Sequence, residues 1–311
     1  MSEFNGVIAA LGPVFVLVLL GYACRLIGFP GQGFWPQAER FTYYLLFPSL
    51  LVYKLSTARL SGLELPSAVA AIVCLLVVAS LLVYGLGVWL KLGGPALSSF
   101  YQGSVRFNTY VGLASAVELF GEQGLLWGAV FLAVMIPLVN VCCVLVFALV
   151  AEGGNRPSLG SVIMNLAKNP LILACGIGIG LNVSGLGLPW GAEPVLALLS
   201  PVALPLGLLA VGVGLDLKVL RRGGLGLWLS CFFKLLCYPL LFVVLAKLFQ
   251  LSTVATSVLL IFTLLPTAPS AYILARQLGG DAPLMAAMIT LQTLLAMLTI
   301  PLILVLFGYF S

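Results

Sequence analysis

Leu264–Asp281 reads LLPTAPSAYILARQLGGD. It sits inside a long apolar run that would otherwise continue as one membrane helix. Instead, Pro266 and Pro269 stand three residues apart, with Thr267 and Ser270 beside them. A proline in a helix interior removes one backbone hydrogen bond and clashes with the preceding turn. Hydrocarbon offers no replacement partner, so such a break survives only where protein or a wet cavity surrounds it. A helix broken at mid-depth is the pattern expected of a transporter's binding site. A proline kink that only shapes packing is the alternative.

The chain around this stretch has 311 residues, 62% of them hydrophobic and 7% charged, with a mean hydropathy of +1.21. A soluble domain carries about 25% charged residues, so lipid must be the solvent here. The net charge of +5 comes from scattered Lys and Arg residues. That is not the clustered basic face of a nucleic-acid binder, and no nucleic-acid partner is expected. The chain has no histidine, so it lacks the commonest metal ligand and proton shuttle. No cofactor is implied. The seven cysteines all fall in apolar runs without C-x-x-C spacing and read as small packing residues. The first apolar run, Gly6–Ile27, lacks a basic n-region and is too long for a signal-peptide core, so it reads as a first span.

About 20 apolar residues cross a bilayer as a helix. That rule gives ten spans, near 6–27, 34–54, 66–90, 97–119, 123–150, 169–187, 193–216, 223–247, 252–276 and 282–309. Loop charge sets orientation. With the N-terminus outside, nine basic residues fall at cytoplasmic ends (Arg25, Arg40, Lys91, Arg156, Lys168, Lys218, Arg221, Arg222 and Arg276). Lys54, Arg59 and Lys247 fall outside. Both termini are then external, in a multi-pass membrane protein with lipid as its surroundings.

The second half echoes the first. Pro13, Gly21, Gly28 and Pro48 are matched by Pro170, Gly178, Gly185 and Pro205, each 157 residues later. Leu119–Glu122 (LFGE) resembles Leu278–Asp281 (LGGD) at a spacing of 159. The expected repeats are 1–151 and 169–311, joined by a cytoplasmic linker at 152–168. An odd number of spans per repeat inverts one against the other, and inverted repeats place a shared site at their interface.

The repeat makes the fourth span the partner of the broken ninth. Ser104–Gly121, SVRFNTYVGLASAVELFG, holds Arg106, Asn108 and Thr109, flanked by Gly103 and Gly112. A guanidinium inside an apolar span is costly and normally faces a cavity or partner; snorkelling to an interface is the alternative. Lys234 is a second intramembrane cation, in WLSCFFKLLCYP. No acid occurs at comparable depth, and an unpaired buried ammonium tends to lose its proton. A wet cavity receiving an anion would keep both cations charged, and two half-helix N-termini would add positive dipole ends. Lys234 bonding only to broken-helix carbonyls stays open. Asn140, Ser49 and Gln292 are further candidates, and each can equally serve as polar glue between helices. No buried carboxylate cluster suggests a proton relay, while sodium held by backbone carbonyls leaves no mark in sequence. Sodium or proton coupling therefore stays open.

The combination resembles the auxin efflux carrier family, which includes the PIN-type plant exporters and bacterial organic-acid permeases. The residues that carry the likeness are Asn108-Thr109 with Gly121, Pro137 with Asn140, Asn169-Pro170, PLGLLAVGVGLDL at Pro205–Leu217, Lys234 with Pro239, and Leu265–Asp281. The resemblance implies an all-α membrane fold of ten transmembrane helices. These would form two inverted five-helix repeats with crossing broken helices 4 and 9, the broad architecture of bile-acid symporters. It also implies a scaffold domain of helices 1, 2, 6 and 7 that mediates a homodimer. A transport domain of helices 3–5 and 8–10 would move as an elevator. Family substrates are organic anions, from auxin to small dicarboxylates. One departure is Phe107, where PIN-type members carry proline.

Three function classes follow. A secondary transporter of a small organic anion, an auxin-like acid or dicarboxylate, would bind it with Arg106, Asn108, Thr109, Pro266, Thr267, Pro269 and Ser270. A membrane enzyme would want acids, histidines or a metal set, which the chain does not offer, so no enzyme is expected. A non-transporting sensor with a transporter fold would usually add a soluble output domain.

Overall fold

The structure, a computed structural model, describes residues 2–31, 33–58, 64–150, 160, 164, 168–188, 191–222 and 224–307. Among these, every regular element is helical. Helix α1 is Ser2–Ile27. Helix α2, Phe34–Phe41, runs through a π-helical turn at Thr42–Leu46 into α3, Phe47–Thr57. Then come α4, Leu65–Trp89, α5, Gly94–Val105, and α6, Thr109–Val150. The second half holds α7, Pro170–Ser184, α8, Ala192–Gly214, and a 3-10 stretch at Leu217–Arg222. Helix α9, Leu225–Phe232, passes through a second π turn, Phe233–Cys237, into α10, Tyr238–Leu248. Helices α11, Thr253–Thr263, α12, Ser270–Gln277, and α13, Ala282–Leu306, complete the order. The expected linker at 152–168 lies outside the described residues except for Gly160, Met164 and Lys168, as do Arg59 and Arg156.

Local chemistry sets the helix starts. Proline occupies the first turn of α4, α5, α7 and α13, where its missing N–H has no intrahelical partner to lose. Asn169 Oδ1 accepts from Leu171 N at 3.0 Å, and Asp281 Oδ1 accepts from Leu284 N at 2.9 Å. Each satisfies amides that a helix start leaves open.

Among the described residues, six helical stretches are long and apolar enough to cross a membrane: Gly6–Ile27, Leu65–Trp89, Gly94–Val150, Ala192–Gly214, Leu225–Leu248 and Ala282–Leu306. The chain is an all-α, multi-pass membrane protein. Its outer surface shows Leu81 71%, Trp89 76% and Leu198 78% exposed, an apolar skin that only lipid makes stable. Six is fewer than the ten spans expected. Gly94–Val150 holds two of the expected spans, the break at 264–269 leaves Thr253–Thr263 short, Pro170–Ser184 is a short apolar helix, and Phe34–Thr57 carries Glu39, Arg40 and Lys54.

The longest stretch is not one rod. Gly121 has φ 55° and ψ −128° inside α6, a backbone that glycine adopts without strain. A Cβ on Gly124 would lie 1.8 Å from the Ala116 carbonyl oxygen. In a straight helix eight residues rise about 12 Å, so the chain folds back at Gly121.

A contact between the two halves is made twice, with the halves exchanged at the offset of 157. Helix α1 packs along α8, and α3 along α7. Gly21 meets the Leu209 backbone, and Gly178 meets that of Leu51 and Val52; Val52 stands 157 residues before Leu209. Arg25 donates to the carbonyls of Val213 and Leu215. Asn182, its counterpart, donates to Leu55 O at 2.8 Å, Ser56 O at 3.2 Å and Ala58 O at 2.7 Å. Arg25 Nη2 also pairs with Asp216 Oδ2 at 3.3 Å. The same two-part joint, a glycine for close approach and a side chain over carbonyls at a helix end, is thus built twice.

Candidate functional site

The two helix breaks meet. Helix α5 ends at Val105, and Arg106 turns extended with φ −72° and ψ 157°. Asn108 then starts α6: its Oδ1 accepts from Tyr110 N at 3.1 Å and Val111 N at 3.3 Å. Its own N–H donates to Pro266 O across the crossing, at 2.8 Å. Pro266 lies 158 residues beyond Asn108, so the bond joins equivalent points of the two halves.

Buried side chains brace the crossing. Thr267 Oγ1 donates to Gly103 O at 2.7 Å, and Gln292 Nε2 donates to the same oxygen at 2.9 Å. Gln292 Oε1 accepts from Thr267 N at 2.9 Å, and its amide also reaches Ser230 Oγ at 3.2 Å. Gln102 Nε2 donates to Ala271 O at 3.1 Å. These bonds satisfy backbone groups at the two breaks, as a lipid-embedded break requires. The glycines beside the fourth-span break serve close packing. A Cβ on Gly103 would come 2.3 Å from Met288 Sδ, and one on Gly112 would come 2.6 Å from Leu265 Cδ1.

Beside the crossing lies a cavity of about 290 Å³. The breaks contribute Arg106, Phe107, Thr109, Ala268 and Ser270; the part of α6 beyond Gly121 contributes Ile136, Val139, Asn140 and Val144. Tyr43, Asn169 and Leu171 form another wall, and Leu274 completes the lining. Thr109 and Ser270 are the first residues of α6 and α12, so two positive helix ends open onto this space. Arg106 is the one charged side chain among these lining residues. Its guanidinium bonds Gln102 Oε1 at 3.4 Å and pairs with no carboxylate among the described residues. Asn108 Nδ2 is buried without a hydrogen-bond partner.

The other residues singled out from sequence are placed differently. Thr267 and Gln292 are fully buried in the brace. Pro266 contributes its carbonyl to the crossing, and Pro269 lines a separate hollow with Arg25, Trp35 and Glu39. Ser49 donates to Leu45 O at 2.8 Å, within the π turn of its own helix. Lys234 does not line the cavity. It is fully buried in the π turn between α9 and α10, its Nζ has no hydrogen-bond partner, and it lies 4.3 Å from the Tyr238 ring centroid. Tyr43 and Gln102 escaped sequence reasoning because nothing local marks them. Asn169 carried a readable signal, a capping residue before a first-turn proline.

This arrangement can bind an anion without covalent chemistry: a guanidinium, amide and hydroxyl groups, and two helix ends face one space. Residues 154–304 match the model of the family described as "Membrane transport protein". Over 96% of its length the chain is 26% identical to the "Putative malonate transporter" of Rhizobium meliloti (strain 1021), covering 94% of that protein. It is 25% identical to an "Uncharacterized transporter" of Methanothermobacter thermautotrophicus, over 96% of this chain and 98% of that one. A Methanocaldococcus jannaschii protein, also named an uncharacterized transporter, is 25% identical over 93% of this chain and 95% of its own. These relatives are named as transporters rather than enzymes. The chain is therefore similar, along nearly its whole length, to proteins named as transporters, and over residues 154–304 to the membrane transport protein family.

Proposed function

We propose that the protein is a secondary transporter of a small organic anion, held by a carboxylate at the crossing of the two helix breaks. The observation that carries this reading is Arg106, a guanidinium with no carboxylate partner among the described residues, beside two helix N-termini in a half-apolar cavity. A bound carboxylate would supply the missing acceptor, and charge-assisted bonds of that kind are about twice as strong as neutral ones. Thr109, Asn140 and Ser270 would complete its shell, with Asn108 positioning the start of α6. The name of the Rhizobium meliloti relative makes a short dicarboxylate the first ligand to try.

The proposed topology is the ten-helix inverted repeat of the auxin efflux carrier type, supported by the joints that recur at an offset of 157. The helices that form those joints, α1 with α2–α3, α7 and α8, would be the scaffold and dimer face. The helices bearing the crossing would slide past them as an elevator. Lys234 would belong to the sliding body without touching the solute.

Thermal stabilisation in detergent, across mono- and dicarboxylates, indole acids and bile acids, tests the site. At least one carboxylate should raise the melting temperature of the wild type. Arg106→Ala should weaken that ligand tenfold or more, the loss of a charged hydrogen bond worth about 1.5–3 kcal/mol. Arg221→Ala, which removes an exposed charge outside the cavity, should not. Equal affinities of the two variants would remove Arg106 from the site.

A further inference from the structure

The face of α2 turned away from the crossing holds a groove that the carrier reading leaves unused. Phe34, Phe41, Tyr44 and Leu45 line a hollow of about 620 Å³, which Leu206 of α8 closes on the far side. Arg40 and Gln37 complete its rim. Phe41 is 51% exposed and Tyr44 60%, so these rings meet the bilayer rather than the core.

Arg40 is exposed and pairs with no carboxylate among the described residues. No acid among the described residues lines the groove; the adjacent Glu39 lines the hollow shared with Arg25 and Pro269. Arg40 stands six residues beyond Phe34, about 9 Å along the helix at 1.5 Å per residue. The π turn at Thr42–Leu46 follows directly. The extra residue in such a turn shifts the helix face, and Tyr44 and Leu45 continue the groove below Arg40.

We propose that this groove is a binding site for an anionic phospholipid. The Arg40 guanidinium would donate to the headgroup phosphate, for which its planar fork is suited. One acyl chain would lie against Phe41, Tyr44, Leu45 and Leu206. A basic pocket between membrane helices is where anionic headgroups are held, and the one charge lining this groove among the described residues is positive.

The test reads lipid directly and does not depend on which solute is carried. Full-length protein is reconstituted in equal phosphatidylglycerol and phosphatidylcholine, extracted gently, and its retained lipid counted by native mass spectrometry. The wild type should keep phosphatidylglycerol in preference to phosphatidylcholine. Arg40→Gln should lose that preference at least fivefold, whereas Arg221→Gln keeps it. Leu206→Trp, which fills the hollow and leaves the charge, should also release the lipid. Unchanged retention in Arg40→Gln, or no preference in the wild type, would overturn the proposal. So would efficient cross-linking of Tyr44→Cys to the same position of a second copy in the bilayer, which would make the groove a protein interface.

Discussion

Gln292 shows how one side chain holds two interrupted helices in register. It accepts from Thr267 N and donates to Gly103 O and Ser230 Oγ, while fully buried. Gln292→Leu keeps the approximate volume and removes all three bonds. A buried donor left without a partner costs about 1–3 kcal/mol, so the melting temperature in detergent should fall by several degrees. Unchanged melting would mean that the brace is dispensable. From sequence, Gln292 could be listed as a candidate but not given a role, because its partners lie 25, 62 and 189 residues away. Arg106 was legible for the opposite reason, since its cost in an apolar run is visible without any partner. Lys234 shared that signal, yet the structure places it beside Tyr238 and outside the cavity lining. Charge within a span shows that a residue is costly, not which space it faces.

At the level of elements, the prolines and capping residues announced where helices start, and the break at 264–269 could be read directly from Pro266 and Pro269. The break at 106–108 has no proline. It depends on Asn108, whose side chain captures the first amides of α6, an alternative that short polar side chains offer the backbone. The glycines near it act by letting neighbours approach. The same use of glycine joins α1 to α8, where a Cβ on Gly212 would lie 1.9 Å from Val18 O. Gly212→Val should therefore push these helices apart and abolish monodisperse extraction. Gly180→Val, at a position with open space around it, should purify normally. Size-exclusion profiles of the two variants decide it; equivalent profiles would show that the α1–α8 contact tolerates separation.

For the whole molecule, the offset of 157 was visible as four matched residues and reappears as matched contacts. The two joints are not chemically equal. Arg25 adds an ion pair with Asp216, and Asn182 is neutral. Sequence comparison within the chain could find the repeat because prolines and glycines mark backbone geometry. It could not find the cavity, whose walls come from Tyr43, Arg106, Asn140, Asn169 and Ser270, residues that only tertiary packing brings together.

The doubly occupied Gly103 oxygen bears on what could energise such a carrier. It accepts from Thr267 and Gln292 at once, and Pro266 O is taken by Asn108 N–H. A dehydrated alkali-metal ion needs several oxygens whose lone pairs are free; Gly103 O has both of its pairs engaged by donors, and Pro266 O has one of its two engaged. Replacing sodium with potassium should accordingly leave both the melting temperature and solute affinity unchanged. A sodium-specific stabilisation would mean that the crossing rearranges to release those carbonyls.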